Sequence, residues 1–303
     1  MAQMRTALTR MSSRAFGGLT LRELLLRTAR ESWDDDVFGQ AARLGFYHFL
    51  ALFPSLLLLF MLARPGSAVE SSLRDALLDS IRHVIPERSA ALIGAAASEL
   101  HGSAGESEGI WVSVGSALWA SVNGAYAMIT GLNVAYEVKE RRTWLRVFAL
   151  ALALTIFIAA LTVVGLAGAK FLAAGAVYLG APALEDLARW IAISGALLLC
   201  LGVFYRFAPN LANRRWRWST PGAIFGAAMW IGASLALRFW TDRSGSYPRI
   251  YGRVAPAVSL LIWFYATAAA VLIGGEMNSE IEKAAAEGGR DHEGVRADKA
   301  HDR

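Results

Sequence analysis

The 303-residue chain contains one cysteine, Cys200, set in an apolar run. That excludes a disulfide framework and any cysteine metal cluster within the chain. Its histidines, His48, His83, His101, His292 and His301, are far apart. The tight HxHxDH cluster of a metallo-β-lactamase-type nuclease is therefore missing, and metal-dependent phosphodiester hydrolysis needs several carboxylates or histidines converging on one or two ions. GxSxG, P-loop and GxGxxG patterns are absent as well, which leaves no signature of a serine hydrolase, a phosphate-binding loop or a dinucleotide site. The first residues, MAQMRTALTRMSSRAFGGLTLRE, have no apolar core of roughly 7–15 residues such as a signal peptide carries. Acidic residues are dense only at Asp34, Asp35 and Asp36 and in the tail, where they read as a solvated helix cap and a linker. No catalytic residue, cofactor or metal follows from these patterns, and the chain does not read as an enzyme.

Apolar residues are what the chain has in quantity. They make up 55% of it, and the mean hydropathy is +0.39, against ~45–50% apolar in soluble domains. The net charge of +5 does not point to nucleic acid, because the basic residues sit in short segments between apolar spans instead of along one face. That distribution fits the positive-inside pattern of a membrane protein.

The predicted fold class is all-α: a polytopic membrane protein of six transmembrane helices, with an amphipathic helical extracytoplasmic loop between the first two. Residues 1–36 form an N-terminal cytoplasmic segment. Within it TLRELLLRTARESW opens on a capping-box spacing, Thr20 to Glu23, and the helix either lies at the membrane interface or packs on its own protein. The six-helix domain covers 37–282, with spans near 41–63, 110–132, 146–170, 190–208, 219–240 and 254–278. Residues 64–109 read as two amphipathic helices broken at Pro86 and form a lid over one end of the bundle. Residues 283–303 read as a disordered cytoplasmic tail. The second span carries a stripe of small residues, Ser113, Ala117, Ala120, Gly124, Ala127 and Gly131, beside a polar row, Ser116, Asn123 and Thr130. Such a stripe lets backbones approach closely, which makes this span the expected packing centre. Gly222 and Gly226 give the fifth span a GxxxG contact face.

With the amino terminus inside, the inner segments hold nineteen Lys and Arg and the outer ones nine. Both termini are therefore expected in the cytoplasm.

Several phrases in order, AARLGFYHFLALFPSLLLLF, LWASVNGAYAMITGLNVAYEVKERR, YRFAPN, STPGAIFGAAMW and IYGRVAPAVSLLIWFYATAAAVLIGGEMNSEIE, resemble the YihY/BrkB family of bacterial integral membrane proteins over roughly residues 37–282. The resemblance implies a six-helix protein of the bacterial inner membrane with cytoplasmic termini. The family has carried a ribonuclease label and a link to virulence, and transport has been proposed for it. The sequence departs from the pattern at His48 and Gly45, where a small or hydroxyl residue and Ala are expected.

Candidate functional residues are the polar groups at membrane depth, which are costly there and usually find partners. Arg43 and Glu276 stand near the same end of the first and last spans and are candidates to pair; Glu276 is also a candidate ion- or proton-coupling group. Tyr47, His48, Asn123 and the mid-span Pro54 complete a candidate intramembrane pathway. Asn133, Asn210 and Asn278 each lie at the inner exit of a span, where Asn tolerates the left-handed conformation that ends helices. Arg141, Arg142, Arg214, Arg215 and Arg217 are candidate contacts for anionic lipid headgroups. The expected partners are membrane lipids and an unidentified small solute or lipid substrate. A periplasmic partner could engage residues 64–109; nucleic acid is not expected, and oligomeric state is not legible. The expected function is transport or export of a small solute or lipid. A membrane scaffold for an envelope assembly is the alternative, and ribonuclease activity is disfavoured.

Overall fold

The structure, a computed structural model, describes residues 16–62, 71, 75, 85–87, 89–95, 107–178, 184–211, 221–243 and 250–301. All regular elements among them are helical, in keeping with the all-α reading. Helix α1 (Leu21–Asp34) starts on a reciprocal capping box: the Glu23 amide donates to Thr20 Oγ1 at 3.3 Å, and the Thr20 amide donates to Glu23 Oε2 at 2.9 Å. Asp36, in the left-handed region at φ +51°, turns the chain and accepts from the Gly39 amide at 3.3 Å to open α2 (Val37–Leu62). Helices α3 (Ser107–Ala135), α4 (Trp144–Tyr178), α5 (Glu185–Phe207) and α6 (Pro221–Arg243) follow. After a 3-10 turn at Gly252–Val254 comes α7 (Ala255–His301).

Among the described residues, four segments are long and apolar enough to cross a membrane: Trp144–Gly165, Trp190–Phe207, Pro221–Arg243 and Gly252–Glu287. The described residues thus account for four spans. The other two expected spans, 41–63 and 110–132, fall on α2 and α3, helices of 26 and 29 residues. Several side chains of those two helices, including that of Pro54, lie outside the described residues. Helix α7 has 47 residues, about 70 Å at 1.5 Å per residue, far more than the ~30 Å of a bilayer's hydrocarbon. It remains helical through 283–301, where the sequence led to a disordered tail. The strong helix formers Ala284, Ala285 and Ala286 account for the start of that continuation.

The packing centre is α7, not the expected second span. It touches α1, α2, α3 and α6, whereas α3 packs chiefly on α2 and α4. The stripe on α3 is divided between two neighbours: a Cβ on Gly124 would lie 3.8 Å from the His48 ring of α2, and one on Gly131 would lie 2.9 Å from Leu272 of α7. Helix α7 offers close approach on two sides. On one, Gly274 fits against Gly222 and Gly226 of α6, the face their spacing points to, and a Cβ on Gly274 would sit 2.6 Å from the Gly222 carbonyl oxygen. On the other, Gly45 of α2 abuts the backbone of Tyr265, where a Cβ would lie 2.9 Å from Tyr265 Cα. Glycine in place of the expected alanine is what lets the first and last spans come this close.

Three aromatic side chains inside the bundle place their polar tips on partners across helices, as burial favours. Tyr205 Oη donates to the Val271 carbonyl at 2.6 Å, Trp230 Nε1 to Thr267 Oγ1 at 3.1 Å, and Trp263 Nε1 to Ser234 Oγ at 3.0 Å. The described part of the 64–109 segment packs inward. Ile85, Ala90 and Ile93 bury against Trp230, Leu260 and Ala270, and Ser89 Oγ donates to the Pro256 carbonyl at 3.0 Å. The remainder of the expected lid lies outside the described residues.

Candidate functional site

Helix α3 buries one face on α2 and diverges from α4 on the other, leaving a groove of about 1010 Å³ between α3 and α4. Leu118, Trp119, Val122, Tyr126 and Phe148 line its apolar length, and Asn133, Lys139, Glu140 and Arg142 line its polar end. Leu118, Trp119, Tyr126, Trp144 and Phe148 are exposed. The groove therefore opens sideways, on the flank of α3 and α4.

The polar end is built by how α3 stops. Glu137 takes φ +49°, its amide donates to the Val134 carbonyl at 2.8 Å, and the Val138 amide donates to the Asn133 carbonyl at 2.9 Å. This is a Schellman closure with Glu137 as the left-handed residue. The expectation that Asn133, Asn210 and Asn278 hold the left-handed position is corrected: none of the three has positive φ. Their side chains instead tie separate segments together. Asn133 Nδ2 donates to Glu140 Oε2 at 2.9 Å, the Asn210 amide donates to Asn133 Oδ1 at 2.8 Å, and Asn210 Nδ2 donates to the Lys139 carbonyl at 3.1 Å. Asn278 stands apart from this pair and caps α6, accepting from the Gly222 amide at 3.0 Å.

Arg142 is the hub of the knot. It donates to Glu140 through Nε at 2.8 Å and Nη2 at 2.6 Å, and Nη2 also donates to the Ala208 carbonyl at 2.7 Å. It thereby satisfies a carbonyl left free just beyond the end of α5. Its side chain is only 14% exposed, so Arg142 is committed to internal bonds and is not the free lipid contact its sequence position leads one to expect. Arg141 stays exposed. Arg214, Arg215 and Arg217 lie outside the described residues. The Arg142 hydrogen bonds hold the Glu140 carboxyl down at about 2.

Among the described residues, the candidate pathway side chains are engaged separately, and that of Pro54 lies outside the described residues. Asn123 lines the groove, but its Nδ2 donates to the Trp119 carbonyl of its own helix at 2.7 Å. His48 Nδ1 donates to the Leu44 carbonyl at 2.8 Å, and its ring stacks on Phe264. Tyr47 is half-buried, edge-on to Phe46. Arg43 and Glu276 do not pair. Arg43 is exposed beside the buried Ala41, Leu44 and Gly45 face of α2, whereas Glu276 is fully buried and neither of its oxygens has a hydrogen-bond partner. The sequence reading missed Glu140, which joins the exit loops, and the inward-facing Thr28, Ser32 and Asp35. The spacing of Leu24, Thr28 and Ser32 at fours was the available signal for the latter. Among the described residues, no three His, Cys, Asp or Glu side chains gather so as to hold a metal ion.

The family model described as Virulence factor BrkB matches residues 28–299. The chain is 30% identical over 258 residues to the ribonuclease-like protein YfkH of Bacillus subtilis (strain 168), covering 81% of this chain and 90% of that one. It is 31% identical over 98 residues to a UPF0761 membrane protein of Stenotrophomonas maltophilia (strain R551-3), covering 32% of this chain and 23% of that one. A UPF0761 membrane protein of Tolumonas auensis is 31% identical over 103 residues, 34% of this chain and 32% of the relative. No solved structure matches the chain.

Proposed function

The chain belongs to the Virulence factor BrkB family of membrane proteins, and we propose that it is a transporter or exporter whose cargo is a lipid-like amphiphile. The observation that carries this reading is the groove between α3 and α4, which opens toward the flank of the bundle, is apolar along its length and ends in Lys139, Glu140 and Arg142. An acyl chain suits Leu118, Val122 and Phe148, and a polar headgroup suits the exposed Lys139 beside the Glu140–Arg142 pair. A small soluble solute, the other cargo considered, would favour a cavity open to water. In the proposed setting, six helices cross the bacterial inner membrane with both termini in the cytoplasm, as the basic residues favour. The charged end of the groove then lies in the inner leaflet, next to Arg141.

The scaffold alternative rests on residues 64–109 facing a partner; of the described residues in that segment, Ile85, Ala90 and Ile93 pack inward. The ribonuclease-like name belongs to the Bacillus relative, and the proposal does not extend to RNA cleavage.

The test is translocation of headgroup-labelled phospholipid in liposomes containing the purified chain. Leu118→Lys places a charge on the apolar floor at an exposed position and is expected to slow transfer at least about tenfold, since a charge at membrane depth costs roughly 2.5–3.5 kcal/mol. Wild-type protein that moves a soluble solute but no lipid would contradict the reading.

A further inference from the structure

Glu276 is fully buried on α7, and both of its carboxylate oxygens are without a hydrogen-bond partner. A buried carboxylate is costly unless a positive charge or a proton neutralises it. The nearby basic side chains are engaged elsewhere. Lys283 donates to Glu137 at 2.7 Å and to Glu280 at 2.8 Å, and Arg27 lies 4.0 Å from Glu280 and 3.9 Å from Glu287. Lys283 acts on Glu276 from that shared position without a bond to it, and the remaining charges that act on Glu276 are Asp35 and Glu31 from α1 and the corner after it, and Glu137 from the turn after α3. All three are acidic.

The face that α1 turns toward α7 carries buried hydroxyls as well. Leu24, Thr28 and Ser32 recur at intervals of four and are buried, with Leu24 set against Met277 and Ile281 of α7. A helical Ser or Thr commonly donates back to the carbonyl four residues earlier. Thr130, Thr155 and Thr162 do so here. Thr28 Oγ1 and Ser32 Oγ do not; both are buried and unpartnered, as is Asp35 Oδ2 one corner further on. Burial, and next to it the Glu137 charge, push the Asp35 carboxyl above its ordinary range, as expected where carboxylates face one another with too little positive charge between them.

Two carboxylates and two hydroxyls offer oxygen alone, without the nitrogen or sulfur that softer metals favour. We propose that Thr28, Ser32, Asp35 and Glu276 form a binding site for a hard metal cation at the contact between α1 and α7. A cation there would neutralise Glu276, satisfy both hydroxyls and fasten the N-terminal helix to the central one. The inference goes beyond the transport reading and stands whether or not the groove moves lipid.

The experiment is thermal unfolding of the full chain in nanodiscs of phosphatidylcholine, at constant ionic strength in choline chloride, titrated separately with Na⁺, Mg²⁺ and Ca²⁺. Because a ligand that binds only the folded state stabilises it, at least one of these ions is expected to raise Tm in a saturable manner. Glu276→Gln should abolish that response, and the double variant Thr28→Val with Ser32→Ala should shift its midpoint to higher concentration. The inference is overturned if no ion separates wild type from Glu276→Gln. It is equally overturned if wild-type Tm follows pH alone, which would assign the cluster to a proton. Should Glu276→Gln fail to fold, an unchanged ion response in the double hydroxyl variant overturns it on its own.

Discussion

Glu140 accepts from the Asn133 side chain, from the Arg142 guanidinium and from the Arg142 amide, and so joins the end of α3 to the end of α5. The Arg142 bonds hold its carboxyl down to about 2, below the ~4.3 of an unfolded glutamate. A depressed folded-state value means that the stabilisation is fully present above about pH 4.3 and is lost as pH falls toward 2. The Tm difference between wild type and Glu140→Gln should therefore be constant from neutral pH to about 5 and shrink below about 4; a difference that grows in acid would contradict the assignment. Little of this knot was legible beforehand. Asn133 and Asn210 drew notice as exit residues, but 77 positions separate them, and nothing local in a sequence says which helix ends meet. Glu140 looked like one more loop charge because its partners are set by that meeting.

Among the elements, hydropathy alone located the apolar helices, since a span must satisfy its backbone internally. What it did not reveal was which helix lies in the middle. A stripe of small residues on α3 is visible as a spacing, whereas the role of Gly274 and Gly275 depends on α6 and α3 approaching α7 from two sides. Gly274→Val sets a side chain against the Gly222 backbone, and overpacking of this kind costs about 3 kcal/mol. Gly232 of α6 has open space at the same point, so Gly232→Ala should instead stabilise by roughly 0.5 kcal/mol. Thermal unfolding in detergent checks the pair, and equal effects would refute the close contact between α6 and α7. Helix α1 shows the opposite limit of sequence reading. Its leucines suggest an apolar inner face, yet Leu21, Leu25 and Leu26 point outward while Thr28 and Ser32 are buried. A helix that exposes leucine and buries hydroxyls is suited to lie on a membrane with its polar stripe against α7, the interfacial position its sequence leaves open.

At the scale of the whole molecule, the account rests on a bundle centred on α7 with a groove on the flank of α3 and α4. The class of the molecule, a multi-helix membrane protein, was legible from composition, and the distribution of Lys and Arg supplies its proposed orientation. The groove was not legible, because Trp119 and Tyr126 on α3 and Phe148 on α4 form one surface only once the Schellman turn and the Arg142 knot set the angle between the two helices. The most direct measurement is photo-crosslinking of the reconstituted chain with a phospholipid that carries a diazirine in its acyl chain, followed by mass-spectrometric mapping of the labelled peptides. The account predicts label concentrated on 118–126 and 144–151, reduced by Leu118→Lys. Label spread evenly over the exposed faces of α4 and α5, including Val164 and Ile191, and indifferent to that substitution would contradict it.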